Sequence, residues 1–132
     1  MKIFSLFLLS FLLFSFSYSN NKINYFEPIP GASFVNENNN IILGFEKQIN
    51  LKESDLMNCL IVIGSQSSMH NGTVIICSDR KKIIFKPSFP FMIGEEIIIK
   101  LTGKLLKTIS SGEKEVSYKF NISPQKIIRK VR

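Results

Sequence analysis

Side chains suited to acid–base or nucleophilic chemistry crowd into one short stretch. Ser65, Ser67, Ser68 and His70 lie within six residues, and Asp79 follows nine later. A histidine beside a serine can take the hydroxyl proton and make a weak nucleophile strong, with a carboxylate orienting the imidazole. The neighbouring sequence does not support that use. The Gly-x-Ser-x-Gly elbow that presents a nucleophile is absent, and the stretch Ser65–Gly72 has the composition of a hairpin tip. The expectation is a solvated or locally hydrogen-bonded His70 and no catalysis. Ser65, Ser68, His70 and Asn71 remain as candidates for ligand contact, and no cofactor is predicted.

Metal chemistry finds little to work with. The chain has 1 His and 2 Cys, too few for the four protein ligands of a structural zinc site. Glu53, Asp55, Asp79, Glu95 and Glu96 could offer oxygen, but calcium takes about six or more oxygens and no Asp-x-Asp-x-Asp spacing occurs. They read as turn and edge-strand carboxylates, with Glu95-Glu96 guarding a sheet edge against aggregation. Cys59 and Cys77 flank the loop Ser65–Gly72. If their strands form a hairpin, the two face each other at a Cα separation of roughly 4.5 Å, near the lower limit for a disulfide. An oxidising compartment would favour closure; the alternative is two buried thiols acting as small hydrophobes. Asn71-Gly72-Thr73 and Asn121-Ile122-Ser123 match the glycosylation sequon, and both read as chance occurrences.

These residues need a scaffold, and the scaffold reads as all-β. Ile41, Leu43 and Phe45 share one strand face; Ile83 and Phe85 alternate with Lys82, Ile84 and Lys86, and Ile97, Ile99 and Leu101 with Glu96, Ile98 and Lys100. Residues 59–64 are nearly all apolar, as in a central strand, and 73–77 are again β-rich. Val116, Tyr118, Phe120 and Ile122 alternate with Ser117, Lys119 and Asn121, so a one-residue slip would bury a lysine. Turns are expected at 28–31, 36–40, 65–72, 78–81, 87–94 and 110–112. Only Leu51 to Asn58 could hold a helical turn, with Ser54 or Asp55 as cap. Six or seven short strands at this spacing predict an immunoglobulin-like antiparallel β-sandwich of about seven strands.

The first 19 residues are of another kind. Lys2 precedes a stretch from Ile3 to Phe16 that is apolar except at Ser5, Ser10 and Ser15, and Ser17-Tyr18-Ser19 supplies small residues at a cleavage site. This is the pattern of a secretory signal cleaved after Ser19. The run is shorter than the ~20 residues a membrane span needs. Residues 20–124 then form the domain, and 125–132 a basic tail. The tail reads as a linker stub toward a further domain, or as a contact for anionic lipid or cell-wall polymer.

The formal charge is +7, from 17 Lys+Arg and 10 Asp+Glu over 132 residues. Lys2 leaves with the signal, and Lys126, Arg129, Lys130 and Arg132 sit in the tail, so the domain holds 12 bases against 10 acids, or +2. No basic patch interleaved with aromatics remains to suggest nucleic acid.

Specific residues then suggest a family. In order they are Pro28-x-Pro30-Gly31-Ala32, Ile41-x-Leu43-x-Phe45, Ile61-x-Ile63-Gly64-Ser65, His70-x-Gly72, Asp79, Ile84-Phe85-x-Pro87, Pro90-Phe91-x-x-Gly94-Glu95, Ile97-x-Ile99-x-Leu101 and Tyr118-x-Phe120-x-Ile122. Over roughly residues 25–123 the chain resembles the bacterial Ig-like domain of the SbsA type, found in exported and surface-layer proteins. The resemblance implies a non-catalytic secreted spacer module, N-terminal in a larger exported or cell-surface protein. It implies further domains or cell-envelope components as partners. The alternatives are an extracellular adhesion module reading glycan or protein through its hairpin loops and, behind it, a small hydrolase using His70.

Overall fold

The computed structural model describes residues 21–109 and 116–126. The predicted leader, the Ser110–Gly112 turn and most of the basic tail lie outside the described residues. Among the described residues, eight strands make two four-stranded antiparallel sheets packed as a sandwich. They are β1 (Ile23–Glu27), β2 (Ile41–Phe45), β3 (Leu60–Gly64), β4 (Ser68–Met69), β5 (Gly72–Ile76), β6 (Lys82–Pro87), β7 (Glu96–Leu101) and β8 (Val116–Asn121). One sheet runs β1-β2-β6-β5 and the other β4-β3-β7-β8. The chain changes sheet between β2 and β3, between β4 and β5, and between β6 and β7. The all-β expectation is met, and β1 and the two-residue β4 are the strands it did not contain.

The alternation works as expected because one face of each sheet is dry. Ile41, Leu43 and Phe45 of β2, Ile83 and Phe85 of β6, and Ile97, Ile99 and Leu101 of β7 are all buried in one core, with Phe120 of β8 and Ile122 just beyond it. Each such side chain contributes roughly 1.5–3 kcal/mol of burial. Residues 60–64, nearly all apolar in sequence, still alternate: Leu60 and Val62 are buried while Ile61 and Ile63 are half-buried. Pro87 ends β6, as a residue without an N–H to donate should. Gly94 sits at φ +79 in the turn into β7, a conformation open to glycine and strained for other residues.

Among the described residues there are also two short helices. α1 (Glu53–Met57) fills the helical turn expected in this segment, with fully buried Leu56 as its anchor. Its N-cap is Lys52 and no side chain caps it; neither Ser54 nor Asp55 does so, since both lie inside the helix. α2 (Gly103–Ile109) was not foreseen. It carries buried Leu105 and Leu106 and meets α1 through an ion pair of Lys104 Nζ with Asp55 Oδ1 at 3.3 Å. Seven residues are too few for helical periodicity to stand out. Among the described residues no helix is long and apolar enough to cross a membrane.

Candidate functional site

The Ser65–Gly72 stretch is not one hairpin tip. Gly64 pairs with Ser68 and Ile63 with Met69, which makes a tight β3–β4 turn. The chain then crosses to the other sheet and enters β5, which pairs with β6. β3 and β5 therefore never face each other as a hairpin. The proposed Cys59–Cys77 apposition fails with that premise, and both cysteines are free thiols. Cys59 is buried after α1, with its carbonyl accepting from the Thr102 N–H at 2.9 Å, and half-buried Cys77 closes the β5–β6 turn through Lys82 and Arg80.

The turn wraps around a carboxylate from far along the chain. Glu95, 1% exposed at the start of β7, accepts from the N–H of Gln66 at 3.1 Å, of Ser67 at 2.9 Å and of Met92 at 3.1 Å. The Ser67 hydroxyl donates to its Oε1 at 2.6 Å. Burial by itself would raise the pKa of this carboxyl. The Ser67 hydroxyl, with the backbone N–H groups of Met92, Ser67 and Gln66, outweighs it and holds the group below its ordinary value. Glu95 was expected to guard a sheet edge with Glu96. That is corrected here: β7 lies between β3 and β8, and Glu95 faces inward.

His70 completes the cluster. Its Nε2 lies 2.6 Å from Ser67 Oγ and 3.9 Å from Glu95 Oε1. The imidazole stacks edge-on against Phe91 at 4.7 Å, and Phe91 in turn meets Phe120 at 6.2 Å. His70 is thus locally hydrogen-bonded, as expected, and is not solvated. Its side chain is only 6% exposed.

The proton count decides what this cluster can do. An ionised carboxylate only accepts hydrogen bonds, and a serine hydroxyl has one proton. That proton goes to Glu95. The bond between His70 and Ser67 must then use the imidazole N–H, with Ser67 accepting. In a hydrolytic triad the order is reversed: serine donates to a free imidazole nitrogen, and the acid holds the other nitrogen. Here the serine lies between base and acid, its hydroxyl oriented by both. The arrangement braces the turn and does not activate the hydroxyl.

The remaining candidates are dispersed. Ser65 Oγ accepts the Glu96 N–H at 3.1 Å. Ser68 is exposed in β4 with φ +63. Asn71 is exposed, and its carbonyl accepts from Ser88 at 2.9 Å. Asp79 accepts the Lys81 N–H at 2.9 Å in the β5–β6 turn. Glu53 Oε1 takes the Ile76 N–H at 3.1 Å on the outer edge of β5, and Glu96 pairs with Lys119 at 3.5 Å. Among the described residues, no group of three or more His, Cys, Asp or Glu comes together to hold a metal. Sequence reasoning grouped Ser67 and His70 with Asp79, whereas their carboxylate is Glu95, in the Pro-Phe-x-x-Gly-Glu run.

A cavity of about 350 Å³ opens beside the turn. Leu60, Val62, Val74 and Phe85 line its depth, with Met57, Met69 and Asn71 toward solvent. It lies where β3 extends past the short β4 and approaches β5 of the other sheet.

No protein-family model matches the chain, and no curated protein matches it significantly. Solved structures do share its fold. An LD-transpeptidase, LdtMt1, in complex with imipenem superposes with TM-score 0.54 at 8% identity, over 77% of this chain and 39% of that one. The S-layer protein SbsC superposes with TM-score 0.51 at 12% identity, over 79% of this chain and 14% of that one. The copper resistance protein PcoC of Escherichia coli superposes with TM-score 0.52 at 14% identity, over 77% of this chain and 99% of that one. The chain thus spans well under half of the first two and nearly all of the third. At such identities the likeness is one of fold, and the chain has the Ig-like, cupredoxin-like β-sandwich that these proteins share.

Proposed function

We propose that the chain is a secreted bacterial Ig-like module of the SbsA type, a non-catalytic spacer near the N-terminus of a larger exported or cell-surface protein. One observation carries the non-catalytic part: Ser67 Oγ lies 2.6 Å from both Glu95 Oε1 and His70 Nε2, and an ionised Glu95 claims its one proton, which supports reading the Ser-His cluster as a brace. Two others support the modular part. The fold recurs as one small segment of a long S-layer protein. Phe34, Phe89, Met92 and Ile93 are exposed on loops tied together by backbone bonds from the N–H of Phe91 to Glu37, of Gly94 to Ser123 and of Ser123 to Val35. Exposed apolar side chains gathered on adjoining loops suit contact with a neighbouring domain.

The test is a replacement. In the source cell, residues 21–126 are exchanged for an unrelated β-sandwich of equal span, and surface display is followed by protease shaving of intact cells. A spacer tolerates the exchange. Loss of a cellular function with display intact would favour the second reading, a binding module. The cavity beside the β3–β4 turn is the observation in favour of that reading, since its volume falls within the ~300–1,000 Å³ of small-molecule sites. A glycan array and a pull-down against cell-surface material test it directly. Met57→Ala and Met69→Ala should weaken any specific capture.

A further inference from the structure

A second cavity, of about 180 Å³, lies where the segment before β2 meets the β6–β7 connection. Its floor is Glu37. We propose that this cavity binds a primary ammonium group, with the Glu37 carboxylate as its counter-charge. The inference does not depend on the spacer reading and stands whether or not the module also carries further domains.

The argument starts from a contrast between two buried glutamates. Glu95 is 1% exposed and receives four hydrogen bonds. Glu37 is 8% exposed, and its buried Oε2 has no hydrogen-bond partner among the described residues. Leaving a buried polar group unpartnered costs about 1–3 kcal/mol, and more for a charged one. A purely structural carboxylate is satisfied from within, as Glu95 is. Among the described residues nothing donates to Glu37 Oε2, and Glu37 lines a cavity open to solvent.

The other walls narrow the chemistry of the missing donor. The side chains of Asn38 and Asn40 and the Ser88 hydroxyl can all accept hydrogen bonds. Among the described residues, neither of those two amide side chains is engaged elsewhere. Phe89, 74% exposed, offers an aromatic face of the kind that attracts a cation. An ammonium brings three donors and the compensating charge. A divalent cation would want about six or more oxygens, and only one group here is anionic. A neutral polyol would leave the charge on Glu37 uncompensated. The volume is well under the ~300 Å³ at which drug-sized sites begin, so the occupant is one small group at the end of a larger molecule.

The walls are also fixed in advance. Pro87 and Pro90 lock their own φ angles on either side of Ser88 and Phe89. The Phe91 N–H donates to the Glu37 carbonyl at 2.9 Å, joining the two loops. Asn36 closes the opposite turn by accepting from Asn38 at 2.8 Å and from Asn39 at 3.1 Å. A site that needs little ordering on binding retains more of its interaction energy.

A primary ammonium comes from a lysine side chain or from an amino sugar, and the experiment separates them. The purified protein, labelled with ¹⁵N, is titrated with n-butylammonium, Nα-acetyl-lysine methylamide and glucosamine, with glucose and calcium chloride as controls at matched ionic strength. Saturable shifts are expected at the amides of 37–40, 88, 89 and 91 with the ammonium probes, and the tighter of the last two identifies the source. Glu37→Gln should weaken binding about tenfold or more, the loss of a charge-assisted hydrogen bond. Phe89→Ala should weaken it several-fold. The proposal is overturned by an unaltered affinity in Glu37→Gln, by glucose or calcium shifting these residues as strongly, or by no shift with any ammonium probe. Should Glu37→Gln lose its dispersed spectrum, Phe89→Ala decides alone: its side chain is exposed, so an unaltered affinity there overturns the proposal as well.

Discussion

The hydroxyl of Ser67 has one proton and two neighbours that could take it, and its allocation separates a brace from a nucleophile. Because Glu95 takes it, Ser67→Ala should cost about 1.5–3 kcal/mol in urea unfolding, the range for a hydrogen bond to a charged group. An unchanged midpoint would sink the account. Tyr118 predicts the opposite sign. Its hydroxyl is buried with no partner among the described residues, and burial raises its pKa far above the usual tyrosine value. Its ring, stacked edge-on with Phe26 at 4.9 Å, is the useful part. Tyr118→Phe keeps the ring and removes the orphan, so it should stabilise by about 1 kcal/mol, read as a higher thermal midpoint. The thiols give a third outcome. Cys77 should react with a thiol reagent in the folded protein and buried Cys59 only on unfolding, while reductant leaves the melting temperature unchanged.

At the scale of elements, the β3–β4 turn holds its shape only if nothing occupies the space above Gly64. A Cβ there would collide with Ser67 Oγ and Glu95 Oε1. Gly64→Ala should therefore cost about 1–3 kcal/mol by overpacking, and combining it with Ser67→Ala should cost less than the two changes summed, because both act on one bond. Denaturant midpoints of the double-mutant cycle measure this; strict additivity would separate the glycine from the brace. The elements also mark how far sequence could be read. Strand periodicity placed β2, β6, β7 and β8 because each has one dry and one wet face. It missed β1, whose burial does not alternate, β4, which has two residues and both exposed, and α2, a seven-residue helix whose Leu105 joins the core. A helical turn within Leu51 to Asn58 was legible, but its cap was not, since no side chain performs that role.

For the whole molecule, the β3–β4 turn is clamped to the segment entering β7 by a carboxylate whose folded pKa lies below its ordinary value. The unfolded state binds that proton more tightly than the folded state does. The stability Glu95 contributes is therefore present above about pH 4.3 and is lost as pH falls through the lower folded value. Acid unfolding followed by circular dichroism should show a cooperative loss on that limb. Glu95→Gln should flatten it and lower stability at neutral pH, because the amide's NH₂ would face N–H donors. A Glu95→Gln acid profile identical to that of the parent would place the acid sensitivity elsewhere.

Sequence alone determined the class of fold, because alternation of apolar and polar residues is a local property and each strand reports its own buried face. It also showed that the net basicity belongs to the two ends of the chain, since charge can be counted without coordinates. It could not pair residues distant along the chain. Ser67 and His70 looked like partners of Asp79, nine residues away, and their acid is Glu95, 25 residues from His70, because β7 lies beside β3 in the folded sheet. Cys59 and Cys77 looked like neighbours across a hairpin, and the crossing between sheets after β4 parts them. Glu37 looked like part of a polar turn, and only packing against the β6–β7 loop made it a buried carboxylate without a donor. Which strands lie side by side is settled by the joint packing of both sheets, and every one of these partnerships follows from that.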